Sequence, residues 1–143
     1  MKSLIQKGDM MTDEKQKEMQ KKMIEMKMIE NGLNALRQKE GELLGVVEDL
    51  NRTKEAIEAM EKYDGDGTMI PLGSGNFVMG KIDEPDKVLV GIGAGIAVTK
   101  SRKEAIDHVQ ERITDIENSL KTISDQNNQM VNQMIKLREE VQG

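Results

Sequence analysis

The chain has no cysteine and no tryptophan, and its 143 residues include one phenylalanine, one tyrosine and two prolines. The absence of cysteine excludes a disulfide framework and fits a reducing compartment. Bulky aromatic side chains usually fill a globular interior, so their scarcity indicates that apolar surface is buried elsewhere. We expect it to be buried along helix seams or against other chains.

Basic residues are fewer than acidic residues, and the chain lacks long apolar runs. The chain carries 21 Lys and Arg against 26 Asp and Glu, which gives a formal net charge of -5. Because a phosphate backbone is bound by a local surplus of Lys and Arg, no nucleic-acid partner is expected. The sequence has no run of the ~18 apolar residues that a membrane span needs. With no signal-peptide core either, we predict no membrane association and a cytoplasmic location.

Two long stretches, residues 13–62 and 102–142, carry apolar residues at alternating steps of three and four. This heptad pattern predicts two helices that pair along a coiled-coil seam. Asn127 is the single polar residue at a core position of the second stretch, where it is expected to fix the register of the pair. The polar residues that interrupt the first stretch are Lys22, Glu40 and Lys54.

The intervening segment, residues 63–101, changes to a period of two with glycine-rich turns, which is typical of short strands. The strands are predicted at residues 68–72, 77–82, 87–92 and 96–100, and they form two β-hairpins. Isolated hairpins are marginal in water, so their open edges are expected to pair with other subunits.

A capping box marks the return to helix after the hairpins. The hydroxyl of Ser101 can accept a hydrogen bond from the amide of Glu104, and this predicts a helix start at about Arg102. The predicted fold is therefore mainly α with a small β-module. It is an antiparallel two-helix coiled coil joined by two β-hairpins that oligomerise with other subunits. Residues 1–12 are predicted to be a disordered or tag-like tail.

Methionine is unusually frequent, with 12 residues, and half of them are expected to collect far from the hairpins. A flexible, polarisable Met surface can conform to many apolar shapes, which would suit a site for varied clients. For Met26, Met130 and Met134, which occupy heptad core positions, seam packing is the favoured interpretation. For Met23 and Met28, which fall outside the seam, both interpretations stay open.

Motifs for catalysis and ligand binding fail on inspection. The GIGAG of residues 91–95 lacks the third glycine at dinucleotide-loop spacing and precedes a strand. The DGDG of residues 64–67 lacks the later Gly and Glu of a calcium loop. His108 is the only histidine and has no cysteine to complete a zinc site. We predict no catalytic residue, no metal, no cofactor and no enzyme activity.

The segments PLGSGNFV at residues 71–78 and VLVGIGAGIAV at residues 88–98 resemble the alpha class of archaeal-type prefoldin subunits. The resemblance covers residues 13–142, and two hairpins match the alpha class, because the beta class carries one. It implies a hetero-hexamer of two alpha and four beta subunits, in which the hairpins oligomerise into a β-barrel-like body. The implied function is an ATP-independent holdase that captures unfolded polypeptides at coiled-coil tips and delivers them to a group II chaperonin.

The resemblance also implies roles for particular residues. Those implied to build the oligomer body are Ile70, Leu72, Phe77, Val78, Val88, Val90, Ile92, Ile96 and Val98. Those implied to bind clients at the tips are Met19, Met23, Met26, Met28, Met130, Met134, Leu137 and Val141.

Two other functions stay open at this point. The first is a self-assembling structural subunit that forms homo-oligomers or filaments without handing on clients. The second is a coiled-coil arm that binds structured RNA, which the acidic charge and the lack of a basic stripe disfavour.

Overall fold

In the computed structural model of this chain, one long helix precedes four short strands in the sequence and a second long helix follows them. The structure describes the backbone of residues 2–142 and the side chains of residues 12–142. The elements are α1 (Lys2–Ala59), a 3₁₀ helix (Met60–Lys62), β1 (Thr68–Gly73), β2 (Asn76–Gly80), β3 (Lys87–Gly93), β4 (Ile96–Ser101) and α2 (Arg102–Gln142). The predicted fold class, two long helices around two small hairpins, is confirmed. Each strand agrees with its predicted range to within two residues.

The start of α1 differs from the sequence prediction. The helix begins at Lys2, inside the segment predicted as a disordered or tag-like tail, rather than at residue 13. Neither proline of the chain lies in this segment, so the helical backbone meets no residue that would break it.

Three hydrogen bonds define the boundaries between the helices and the hairpins. The amide of Glu104 donates to Ser101 Oγ at 3.1 Å, which is the predicted cap at the start of α2. The amide of Arg102 donates to the carbonyl of Asp86 at 3.2 Å. The amide of Ile82 donates to the hydroxyl of Tyr63 at 2.9 Å, which ties the chain after β2 to the end of the first helical stretch.

The hairpins pair β1 with β2 and β3 with β4, both antiparallel. Their tight turns have Ser74 and Gly75 at φ +52° and +79°, and Ala94 and Gly95 at φ +51° and +72°. Two consecutive residues with positive φ are typical of the type I′ turn, whose twist matches that of the flanking strands. Glycine at the second position lowers the steric cost. The GSG and GAG sequences therefore set the register of the hairpins.

The chain divides into two compact units. The hairpin unit comprises Leu44–Asn118, and the terminal coil unit combines Met1–Leu43 with Ser119–Gly143. Each unit contains a stretch of both helices.

The core of the hairpin unit is a cluster from both helices against which β3 packs. Val88 and Val90 of β3 are half-buried against this cluster. Its buried members are Leu50, Ile57, Ala105, Val109 and Ile113. The second hairpin is thus fixed to the helices through one face of β3.

In the terminal coil unit the helices run antiparallel with little buried surface. Lys22 Nζ lies 3.4 Å from Glu140 Oε2, and Gly32 faces the end of the Met130 side chain. Moving ten residues forward along α1 therefore moves ten residues back along α2. Ile123 is the only buried apolar side chain among those described in this unit.

Two of the polar seam residues reach across to the other helix. Lys22 makes the ion pair with Glu140 in the terminal coil unit. Lys54, in the hairpin unit, donates to Gln110 Oε1 at 3.0 Å. Their long side chains can keep the aliphatic stem in the seam while the ammonium group meets a polar partner at its edge. The seam therefore tolerates both interruptions.

Glycines within α1 give a test of local packing. A Cβ added at Gly41 or Gly45 would meet nothing within 4 Å, so Gly41→Ala and Gly45→Ala should each raise the free energy of unfolding by up to about 1 kcal/mol. At Gly32 a Cβ would lie 3.2 Å from Met130 Cε, so Gly32→Ala should give a smaller gain. Chemical denaturation of the three variants measures the difference. An equal gain at all three positions would contradict the close packing of Met130.

Candidate assembly and client surfaces

The first hairpin exposes apolar side chains on both faces. Met69 lies opposite Met79, and Pro71 lies opposite Phe77, so these four share one face. Ile70 and Val78 are paired on the other face. All of these side chains are exposed in the single chain. A strand that is apolar on both faces is typical of a strand covered on both sides, so this hairpin has the composition of a buried element without its cover.

The second hairpin is covered on one face only. Val88 and Val90 are half-buried against the helices, whereas Leu89, which points to the opposite face, is 72% exposed. Of the predicted oligomerisation residues, these two valines thus already have partners within the chain. The others are all exposed: Ile70, Leu72, Phe77, Val78, Ile92, Ile96 and Val98.

Each strand also has an unpaired edge. Within the described residues the strands form two separate two-stranded sheets, β1 with β2 and β3 with β4. Every strand therefore presents one row of backbone N–H and C=O groups without a strand neighbour in the chain. Such edges are templates for pairing with another chain.

The predicted client-binding residues separate into two groups by burial. Met23 and Met28 are 60% and 68% exposed, and Met19 is also exposed. The members that are half-buried in the seam are Met26, Met130, Met134, Leu137 and Val141. The heptad assignment of Met26, Met130 and Met134 thus agrees with their burial, and the outward surface is formed by the first group.

A shallow groove connects the two groups. It has a volume of about 450 Å³ and is lined by the apolar side chains of Met28, Ile29 and Leu137. Charged side chains at its margin include Glu25 and Lys136. The groove is open and mainly apolar, so it can accept hydrophobic side chains of an extended polypeptide without demanding one shape.

Sequence reasoning missed several exposed apolar residues. They are Ile24, Val131 and Ile135 in the terminal coil unit, and Leu44, Val46, Met69, Met79 and Leu89 in the hairpin unit. A heptad assignment of every position could have found some of them. Ile24 precedes the seam residue Met26 by two positions, and Ile135 follows the seam residue Met134, so neither has a role in the seam.

Neither a metal site nor a membrane span is found in the described part of the chain. No group of three or more His, Asp or Glu side chains there could hold a metal ion. Its helices also lack the combination of length and hydrophobicity needed to cross a bilayer.

Comparison with known proteins decides the family. The family model of the prefoldin subunit matches residues 29–143, which include the hairpins and all of α2. The chain belongs to the prefoldin family. Within it, the chain is 35% identical over 102 residues to prefoldin subunit alpha of Nitrosopumilus maritimus, covering 71% of this chain and 70% of that protein. It is 28% identical over 127 residues to prefoldin subunit alpha of Archaeoglobus fulgidus, covering 88% and 93%.

The fold has a counterpart among solved structures. A chain of the filamentous PFD from Methanocaldococcus jannaschii superposes with a TM-score of 0.72 at 19% sequence identity, covering 81% of this chain and 97% of that chain. At this identity the likeness shows the fold. The family match and the sequence relatives confirm the prediction of an archaeal-type alpha prefoldin subunit.

Neighbouring residues of β3 allow packing within the chain to be separated from assembly. Leu89→Ser changes an exposed side chain, so the temperature at which the isolated chain unfolds should change little. The affinity between subunits should fall at least tenfold. Val90→Ser removes apolar contact with the helix cluster and should lower stability by about 1–3 kcal/mol as well. Sedimentation and thermal unfolding measure the two effects. A Leu89→Ser chain that assembles like the unmodified chain would show that this face of β3 is not an interface.

Proposed function

We propose that this prefoldin subunit is the alpha component of an ATP-independent chaperone that acts in the cytoplasm. Its hairpins assemble with beta-class subunits into a hetero-hexamer of two alpha and four beta subunits. Its terminal coil unit holds non-native polypeptide and delivers it to a group II chaperonin. The observation that carries the proposal is the exposed apolar surface outside the seam, formed mainly by Met19, Met23, Ile24 and Met28.

The hairpins support the assembly part of the proposal. Leu72 and Leu89 are among the most exposed large apolar side chains of the described residues. Each strand also has an open edge. Burying apolar area contributes ~25 cal/mol per Å², and pairing the open edges satisfies backbone groups at the same time. Closure of several hairpins into a β-barrel-like body would satisfy both requirements.

The coil surface supports the holding part. Methionine has three flexible torsions and a polarisable sulfur, so it can pack against different client side chains. Full burial of one such side chain contributes ~1.5–3 kcal/mol, so a few partly buried contacts on one coil give weak binding. Several coils that contact one client together would raise the overall affinity through effective concentration. Release then needs no nucleotide, because each contact is weak by itself.

The proposed chaperone function requires no catalytic step. Prefoldins are a non-enzymatic chaperone family. Capture by apolar contact requires neither a nucleophile nor a bound cofactor, and a nucleic acid or a membrane has no place in the cycle.

Subunit mixing tests the assembly. The chain should form a discrete hexamer when it is mixed with an archaeal beta-class subunit, as measured by light scattering after size exclusion. The hexamer should suppress aggregation of a chemically denatured protein without nucleotide. A chain that remains in an open-ended series of homo-oligomers with the beta subunit present would instead support the self-assembling structural subunit. A discrete hexamer that does not suppress aggregation would overturn the holding function alone.

Substitution of the exposed methionines tests the client surface. Gln is close to Met in length and is a good helix former, so the double variant Met23→Gln and Met28→Gln should keep the coil. It should weaken suppression of aggregation several-fold, because the surface becomes polar. The matched control, Met23→Leu and Met28→Leu, remains apolar and should retain suppression. If the Gln and Leu variants are equally active, these residues do not bind clients.

A further inference from the structure

The chemistry of this chain leaves methionine as its principal target for mild oxidants. The sequence has no cysteine and no tryptophan, but it has 12 methionines. A peroxide converts a methionine thioether into a sulfoxide, which is polar and can be reduced again by methionine sulfoxide reductases. A two-electron oxidant such as a peroxide therefore acts mainly on methionine in this chain. Methionine is also the main residue of the exposed apolar surface of the terminal coil unit.

Among the methionines of the terminal coil unit whose side chains the structure describes, burial separates two groups by their access to solvent. Met19, Met23 and Met28 are exposed. Met26, Met130 and Met134 are half-buried in the seam. Peroxide must reach the sulfur to react, so the exposed group should be oxidised before the seam group.

The same separation protects the fold. The side chains of Met23 and Met28 are directed mainly to solvent, so a sulfoxide oxygen there can be hydrated by water. At Met130 the sulfur lies 3.3 Å from the position of a Cβ on Gly32, where α1 and α2 pack closely. Oxidation of the exposed group would thus change the polarity of the surface while leaving the seam intact.

We propose that Met19, Met23 and Met28 form a reversible oxidation switch on the client surface. In the reaction, the thioether sulfur attacks one peroxide oxygen, the O–O bond breaks, and an S–O bond forms. The sulfur loses two electrons, the proton on the transferred oxygen passes to the leaving hydroxide, and that oxygen leaves as water. The product surface is polar and binds apolar client segments weakly. A methionine sulfoxide reductase restores the thioether with two electrons from a dithiol, which becomes a disulfide while the sulfoxide oxygen leaves as water. The switch rests on the proposed holding function.

The test uses the assembled complex of this chain with a beta-class subunit that has no oxidisable residue in its own coils. The complex is treated with increasing concentrations of hydrogen peroxide. Peptide mass spectrometry should find Met23 and Met28 oxidised several-fold faster than Met26, Met130 and Met134. Suppression of aggregation should fall several-fold as the exposed group is oxidised, with no change in assembly size. Incubation with MsrA and MsrB and their reductant should restore it.

A matched variant assigns the effect to these three side chains. In Met19→Leu, Met23→Leu and Met28→Leu combined, the surface stays apolar but cannot form a sulfoxide, so suppression should survive peroxide. A second variant, Met60→Leu, removes a half-buried methionine that lies outside the client surface and the hairpins, and it should remain as sensitive as the unmodified chain.

The outcomes distinguish the switch from the function on which it rests. An untreated complex that does not suppress aggregation removes the holding function and the switch together. An active complex that keeps its suppression after full oxidation of Met23 and Met28 overturns the switch alone. The switch is also overturned if the triple Leu variant loses as much suppression to peroxide as the unmodified chain.

Discussion

The packing of β3 on the helices is the interaction on which the rest of the architecture depends. Val88 and Val90 contact a cluster that includes Leu50, Val109 and Ile113. This cluster contains five of the six buried apolar residues among those described. Because it combines both helices and a strand, it closes the helix pair and fixes the second hairpin with the same apolar contacts.

Outside that cluster the molecule leaves apolar surface uncovered. The first hairpin is apolar on both faces, and the terminal coil unit has Ile123 as its only buried apolar side chain among those described. A monomer with so much exposed apolar area is poorly suited to remain alone. Membership of a family of assembling subunits gives the exposure of the hairpins a physical reason, since assembly can cover them.

Local signals made much of the fold predictable. The heptads located both helices, the glycine-rich turns located the hairpins, and the hydroxyl of Ser101 caps α2 as its spacing with Glu104 predicted. Each of these signals acts between residues close in sequence. The side-chain partners of Lys22 and Lys54 were not predictable in the same way, because they depend on the register between helices that are distant in sequence.

The sequence by itself determined the order of the elements, the type of each turn and the set of residues that can enter the seam. Period, capping and positive-φ turns are local properties of the chain. Only the tertiary structure decided which apolar residues of a strand are covered. Val90 and Leu89 are neighbours of similar hydrophobicity, yet one packs on the helices and the other faces solvent. The heptad pattern had already placed Met26 in the seam and Met28 outside it, whereas burial in a strand depends on what the rest of the fold places opposite each face.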